Sequence, residues 1–230
     1  MCFQEMISNK LLKYLATIFV LCLLSACSSE SNINIPTDTN ISFQLSNLNS
    51  TSLGTVYSTE LVGSEPNGTN VTGTYSIVNR EKIMLNGVLI TPHDINFRHQ
   101  NMKGITGVGD LTNNIDSDGN LISETKQDSD WSCVPISPDR MPNSVKIGES
   151  GVLSTLLCRD DIKIERSWRI EDGFNGKVNV VSRRISKNDV NEIISTIDQT
   201  YSIFENGDIF SFKYVSKITQ TEGIFELKSN

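Results

Sequence analysis

The fold of this chain is decided by residues 162–171, which read Ile162-Lys163-Ile164-Glu165-Arg166-Ser167-Trp168-Arg169-Ile170-Glu171. Four apolar side chains share one face of this segment: Ile162, Ile164, Trp168 and Ile170. The residues between them are charged or small and polar, and a period of two is typical of a β-strand with one buried and one solvated face. Arg166 is the one charged residue in the apolar phase.

The same alternation recurs on both sides of this segment and is interrupted by short turn signals. These are Asn-Gly or Asp-Gly pairs at Asn67-Gly68, Asn86-Gly87, Asp118-Gly119, Asn175-Gly176 and Asn206-Gly207. Both residues of such a pair tolerate the positive φ that tight hairpins require. No long amphipathic helix follows residue 26. The sequence therefore predicts an all-β fold of antiparallel meanders that form a sandwich or a half-open barrel, and it leaves open whether the sheet closes.

The two halves of the chain also resemble each other in the spacing of their turns. The interval from Asn86-Gly87 to Asp118-Gly119 nearly equals that from Asn175-Gly176 to Asn206-Gly207. This similarity suggests a duplicated β-meander, with modules at 51–125 and 147–230 joined by a connecting segment at 126–146. The alternative is that any two meanders share evenly spaced turns.

The N-terminus has the three parts of a secretory signal peptide. Lys10 and Lys13 precede an apolar run from Tyr14 to Leu24, which is too short for a membrane-spanning helix of about 20 residues. Leu24-Ser25-Ala26-Cys27 then resembles the lipobox of bacterial lipoproteins. The resemblance implies cleavage of residues 1–26 and acylation of Cys27, which would anchor the chain to a membrane. Ser28, in place of the Asp that resembles an inner-membrane retention signal, favours the outer membrane.

Residues 27–50 are rich in Ser, Asn and Thr and are predicted to form a flexible tether. The whole chain carries a formal net charge of −7 at pH 7. Removing the signal peptide makes the chain more acidic, because Lys10, Lys13 and Glu5 leave with it. An acidic domain argues against a general nucleic-acid binder, whose surface is basic.

Two of the five cysteines, Cys133 and Cys158, are not assigned to the signal peptide or the lipid. In an oxidising compartment such a pair is expected to form a disulfide, which would stabilise the fold by about 3 kcal/mol. A metal or redox pair is the alternative, but the sequence has no Cys-x-x-Cys motif. Beyond the lipobox, residues 145–151 with Cys158 and a later Trp resemble uncharacterised lipoproteins of Gram-negative bacteria. That resemblance implies a disulfide and a β fold but no activity.

One segment matches the start of a calcium-binding loop. Asn114, Asp116 and Asp118 offer oxygen ligands at alternate positions before Gly119. The bidentate Glu of such loops is missing, since the twelfth position is Thr125. An ordinary Asp-Gly hairpin is therefore favoured over a weak Ca²⁺ site, and no other metal or cofactor is predicted.

The remaining candidate residues are histidines and tryptophans. His93 with Asp94 and His99 could form a metal site or a general base with an orienting carboxylate, but a structural role for both histidines is favoured. Trp168 is in phase with the apolar face and is expected to pack in the core. Trp131 is expected to pack near Cys133.

These observations predict a lipid-anchored outer-membrane lipoprotein that is not an enzyme. The leading hypothesis is an interaction or structural module, attached to the membrane through Cys27, whose partner is an unidentified envelope protein. The second hypothesis is a carrier of a lipid or other apolar ligand in a curved β-sheet. The third is a hydrolase that uses His93.

Overall fold

A computed structural model describes residues 34–45, 48, 50–104, 106–127, 129–219 and 223–229. The segments predicted to be a signal peptide and a lipobox, including Cys27, lie outside these residues. Within the described ranges, no helix is long and apolar enough to cross a membrane.

The described chain is almost entirely β-strand, with one short 3₁₀ turn at Arg159–Asp161. The strands in chain order are β1 (Phe43–Gln44), β2 (Gly54–Ser64), β3 (Asn70–Asn79), β4 (Ile83–Leu85), β5 (Val88–Asn101), β6 (Thr106–Asp116), β7 (Leu121–Lys126), β8 (Ser132–Pro135), β9 (Ser144–Val145), β10 (Ser150–Val152), β11 (Leu156–Cys158), β12 (Lys163–Asp172), β13 (Lys177–Lys187), β14 (Ile193–Phe204), β15 (Ile209–Ile218) and β16 (Gly223–Ser229). The prediction of an all-β fold built from antiparallel meanders is confirmed.

Twelve of these described strands close into one antiparallel barrel. Their order around the ring is β12, β11, β8, β7, β6, β5, β3, β2, β16, β15, β14 and β13, and β13 pairs again with β12. Strand β4 extends the edge beside β5, β10 pairs with β12, and β1 pairs with β9 in a separate two-stranded ribbon. The barrel is closed, where the sequence left a sandwich or a half-open barrel. The alternation of apolar and polar residues shows which face of each strand points inward. It does not show that β12 and β13 pair and so close the ring.

Strand direction assigns each turn to one of two ends of the barrel. The turns at 86–87, 117–120, 173–176 and 205–208 lie at one end, here called the proximal end. The turns at 65–69 and 188–192 lie at the opposite end, here called the distal end. The N-terminal part of the described chain contacts the proximal end, where Ile35 and Thr37 form hydrogen bonds with Asn175 and Lys177.

Residues 35–45 pack on the barrel, so the prediction of a flexible tether over all of 27–50 is wrong for this part. The Ile35 amide donates to Asn175 Oδ1 at 3.1 Å, and the Ile35 carbonyl accepts from the Asn175 amide at 2.8 Å. Thr37 donates its hydroxyl to the Lys177 carbonyl at 2.9 Å. Farther along, Phe43 and Leu45 are completely buried. Ile41 packs against the same core and is partly buried. These few apolar residues stand among polar ones, so the composition of the segment does not reveal them.

One large hydrophobic core joins both halves of the chain. It contains Tyr75 and Ile77 from the first predicted module and Ile170, Val180, Tyr201 and Phe212 from the second. The Tyr75 ring stacks on Phe212 with centroids 3.8 Å apart, and its hydroxyl is 2.6 Å from the Tyr201 hydroxyl. The segments 51–125 and 147–230 are therefore two halves of one barrel. Their origin by duplication stays a hypothesis.

A second, smaller cluster surrounds the disulfide. Cys133 on β8 lies opposite Cys158 on β11, with Cα atoms 3.9 Å apart, and the two are bonded. This confirms the predicted disulfide. Trp131 packs against the cluster, as expected, and Trp168 packs against the large core. The disulfide covalently ties two of the shortest strands in the ring.

The packing of residues 35–45 predicts that Phe43→Ala will strongly destabilise the protein. Removing a fully buried phenyl ring should lower the free energy of unfolding by about 3–5 kcal/mol. Chemical denaturation of the full chain measures this value. Gln44→Ala is the matched control, because Gln44 is exposed beside Phe43 and should change stability by less than about 0.5 kcal/mol. Equal, small effects of both substitutions would contradict the insertion of this segment.

Candidate ligand sites in the barrel lumen

Two buried ion pairs lie among the side chains that face the lumen. Glu124 on β7 is fully buried, and its oxygens accept hydrogen bonds from Arg184 on β13 at 2.5 and 2.6 Å. Arg166, the residue that broke the apolar alternation, pairs with the buried carboxylate of Asp139. The Arg166 side chain thus points inward like its apolar neighbours on the strand, but it contacts a carboxylate instead of apolar core residues.

The electrostatics of Glu124 are set by Arg184. Burial alone would raise the pKa of Glu124, but the charge and hydrogen bonds of Arg184, together with the charge of Arg166, lower that pKa overall. For the other pair burial prevails, since it raises the pKa of Asp139 against the charge of Arg166. Glu124 and Arg184 therefore form the more firmly ionised of the two pairs.

A small polar cavity of about 130 Å³ adjoins these ion pairs. His93 is nine-tenths buried beside it, and its Nε2 has no hydrogen-bond partner among the described residues. Burial lowers the pKa of His93, although the charge of Asp94 acts in the opposite direction. The lining is completed by Leu48, Ile77, Ile95, Asn113, Met141, Leu153, Arg166, Val180, Ser182, Arg184, Gln199 and Tyr201. A cavity of this size and polarity suits a few ordered waters rather than an acyl chain.

His93 and Asp94 do not form a catalytic pair. They are neighbours on one strand, so their side chains point to opposite faces. The Asp94 carboxylate accepts a hydrogen bond from Arg80 and another, at 2.8 Å, from Thr112 Oγ1. His99 lines a different pocket from His93, so the structure does not bring the two histidines together. Within the described part of the chain, no group of three or more His, Cys, Asp or Glu side chains is placed to hold a metal ion.

The three calcium candidates take part in an ordinary hairpin between β6 and β7. Asp116 Oδ1 accepts the amides of Asp118 and Asn120 at 2.9 and 2.8 Å, and its Oδ2 accepts the Asn120 side chain at 3.0 Å. These bonds outweigh the slight burial of Asp116 and lower its pKa. Asn114 donates to Ser123 Oγ on the facing strand. The structure does not gather the three side chains around one point.

A larger pocket of about 440 Å³ lies at the distal end of the lumen and is here called the distal pocket. Its described lining residues are Glu65, Pro66, Asn67, Phe97, His99, Tyr214, Ser216, Ile218 and Phe225. Four of these form a closed circuit of ring contacts. Centroid distances are 5.5 Å from Phe97 to His99, 4.7 Å to Phe225, 6.3 Å on to Tyr214 and 4.6 Å back to Phe97.

The strand register explains how these rings meet. Phe97 lies opposite Tyr75 in the β3–β5 ladder and shares its inward face, and His99 follows two residues later. Tyr214 and Phe225 approach from β15 and β16 across the lumen. Gly107 lies opposite His99 on β6, and a Cβ there would fall 2.0 Å from His99 Nε2. The absent side chain at Gly107 is therefore what admits the imidazole.

One carboxylate lies at the rim of the distal pocket. Glu65 Oε1 accepts a hydrogen bond from Asn101 Nδ2 at 2.8 Å, and Oε2 accepts a weaker one from Asn67 at 3.4 Å. Burial lowers the pKa of His99 from its usual 6.5, against the charge of Glu65, so the imidazole is largely neutral at pH 7. Among the residues that the structure describes, the pocket thus combines aromatic walls with one carboxylate, that of Glu65.

Sequence reasoning missed the distal pocket. Period-two alternation puts Tyr214 in phase with the buried Phe212, and Phe225 in phase with the buried Leu227. Only their inward phase was visible in the sequence, and phase does not reveal which strands face each other across a lumen. For His99, the sequence suggests only a pairing with His93, and it contains no signal that links His99 to the rings of Tyr214 and Phe225.

A scan of protein-family models, a search of curated proteins and a search of solved structures found no match to this chain.

The buried ion pair predicts that Glu124→Gln will lower the free energy of unfolding by about 3–5 kcal/mol, because Arg184 is left buried without a counter-charge. Glu165→Gln is the control, since Glu165 pairs with Lys187 on the surface and should contribute less than about 1 kcal/mol.

The pH dependence of the same pair has a definite sign. The folded pKa of Glu124 is lowered from 4.5, so its stabilising effect is complete above that pH and is lost as the pH falls. Denaturation curves between pH 7 and pH 3 should therefore converge for the native protein and Glu124→Gln. A difference that grows as the pH falls would contradict the assignment.

Proposed function

We propose that this protein is a lipid-anchored, non-enzymatic binding module of the outer membrane, which takes a small organic ligand into the distal pocket. The observation that carries the proposal is the circuit of four rings formed by Phe97, His99, Tyr214 and Phe225 around a pocket at one end of the barrel. This departs from the leading sequence hypothesis, in which the partner is an envelope protein, and is closer to the second one, in which the barrel holds a small apolar ligand.

The size and composition of the pocket support this function. Its volume of about 440 Å³ lies in the range of small-molecule sites, which is roughly 300–1,000 Å³. Such sites combine apolar and aromatic walls with a few polar groups that orient the ligand. Here the walls are rings, and the polar groups Glu65, Asn67 and Ser216 lie beside them.

The two ends of the barrel support an arrangement of anchor and pocket at opposite poles. Ile35, the residue with which the packed N-terminal segment begins, is bound to Asn175 at the proximal end. Three exposed phenylalanines, Phe174, Phe204 and Phe210, lie at or beside the turns of this end. A bilayer at the proximal end leaves the distal pocket open to the aqueous phase.

The lumen argues against the other hypotheses. A lipid carrier needs a long apolar cavity, whereas core side chains and buried ion pairs fill the middle of this barrel. A hydrolase based on His93 needs an orienting carboxylate, and Asp94 bonds instead to Arg80 and Thr112. Binding of a small ligand requires neither feature.

The anchor predicts that Cys27→Ala will release the protein from membranes. Fractionation of cells that express the full chain should place the native protein with the outer membrane and the variant in the soluble fraction. Cys22→Ala is the control, because Cys22 lies in the apolar run of the signal peptide and should leave the distribution unchanged. Retention of the Cys27→Ala variant on membranes would refute the lipid anchor.

The pocket predicts that a neutral fluorescent probe such as N-phenyl-1-naphthylamine will bind the full-length protein. Phe225→Ala should weaken binding roughly two- to tenfold, because one aromatic wall is lost. Phe210→Ala removes an exposed phenylalanine near the proximal end and should have no effect. Fluorescence titration distinguishes the two variants, and equal affinities would place the probe outside the distal pocket.

A further inference from the structure

We infer that the ligand of the distal pocket is an organic cation, with an alkylated ammonium group seated among the rings of Phe97, Tyr214 and Phe225. This inference rests on the proposed function, since it assumes that the pocket binds a small molecule. It adds the chemical class of that molecule.

The arrangement of the rings is the first argument. Phe97, Tyr214 and Phe225 line one pocket from three strands. Phe97 stacks on Tyr214 at 4.6 Å, and Phe225 stands at 74° to Tyr214, so the rings present differently oriented surfaces to that pocket. The faces of aromatic rings carry partial negative charge and attract a cation within about 6 Å of the centroid. Several rings around one space are the recurring arrangement for quaternary ammonium groups, which cannot donate hydrogen bonds from nitrogen.

The charge of the pocket is the second argument. Glu65 is the only formally charged side chain among the described residues that line it at neutral pH, because burial lowers the pKa of His99. Asn101 and Asn67, which donate hydrogen bonds to Glu65, carry neutral amide groups. They hold the carboxylate in place without compensating its charge. A cationic ligand supplies that charge.

Two other ligand classes fit less well. An anion would meet Glu65 and the negative faces of the rings, with no cationic side chain among the described lining residues. A neutral ring would stack on the walls but would gain nothing from the carboxylate. The overall net charge of −7 also raises the local concentration of cations over anions.

The test compares two probes that differ only in charge. Choline carries a trimethylammonium group, and 3,3-dimethyl-1-butanol has the same shape with carbon in place of nitrogen. Titration calorimetry or ligand-observed NMR on the full chain should show choline binding at least about tenfold more tightly. Glu65→Gln should weaken choline binding severalfold and leave the neutral probe unchanged. Glu165→Gln, whose carboxylate pairs with Lys187 and does not line the distal pocket, should change neither.

The outcomes separate the two proposals. Equal or tighter binding of the neutral probe overturns the cation inference and leaves the pocket as a site for neutral ligands. Failure of both probes and of the naphthylamine to bind overturns the pocket itself. Choline binding that survives both Glu65→Gln and Phe225→Ala also overturns the inference, because the cation would then be bound elsewhere.

Discussion

A closed barrel has to fill its own lumen, and this constraint governs the rest of the structure. In barrels of about eight strands, side chains alone fill the interior, and the diameter grows with strand number. Twelve strands enclose more space than the inward side chains of most strands can occupy. Side chains from segments outside the twelve-stranded ring fill part of this space. Phe43 and Leu45 enter from the N-terminal segment, and Val145 of the β9 ribbon joins them in the same core.

The rest of the lumen is filled unevenly, and this unevenness creates the candidate sites. Tyr75, Tyr201 and Phe212 pack tightly, whereas Arg184 and Glu124 occupy the interior as a charged pair. A desolvated pair of this kind needs complete partners, so it fixes β7 and β13 relative to each other across three intervening strands. Toward the distal end the filling is incomplete, and the rings of Phe97, Tyr214 and Phe225 border the space that remains.

The sequence was sufficient for features that depend on neighbouring residues. The alternating positions of Ile164, Trp168 and Ile170 predict a strand, and Asn206-Gly207 predicts a hairpin because both residues tolerate positive φ. The Cys133–Cys158 bond followed from compartment and count. What the sequence could not give depends on residues that are remote along the chain. The inward position of Arg166 is explained only by Asp139, which lies 27 residues earlier in the chain. The burial of Phe43 likewise depends on strands that are distant in the sequence. The distal pocket was invisible for the same reason, since no local rule brings His99 to Phe225.

The hydrogen bonds of Ile35 and Thr37 at the proximal turn have a mechanical consequence. A load on the chain ahead of residue 34 is applied first to Asn175 and Lys177, which belong to a single turn and the strand after it. The next point in its path is the buried ring of Phe43, and the closed ladders of the barrel wall come last. Tension along the N-terminus therefore peels a short segment from its seat before it strains the ring. The wall that bears the distal rings lies at the far end of this path.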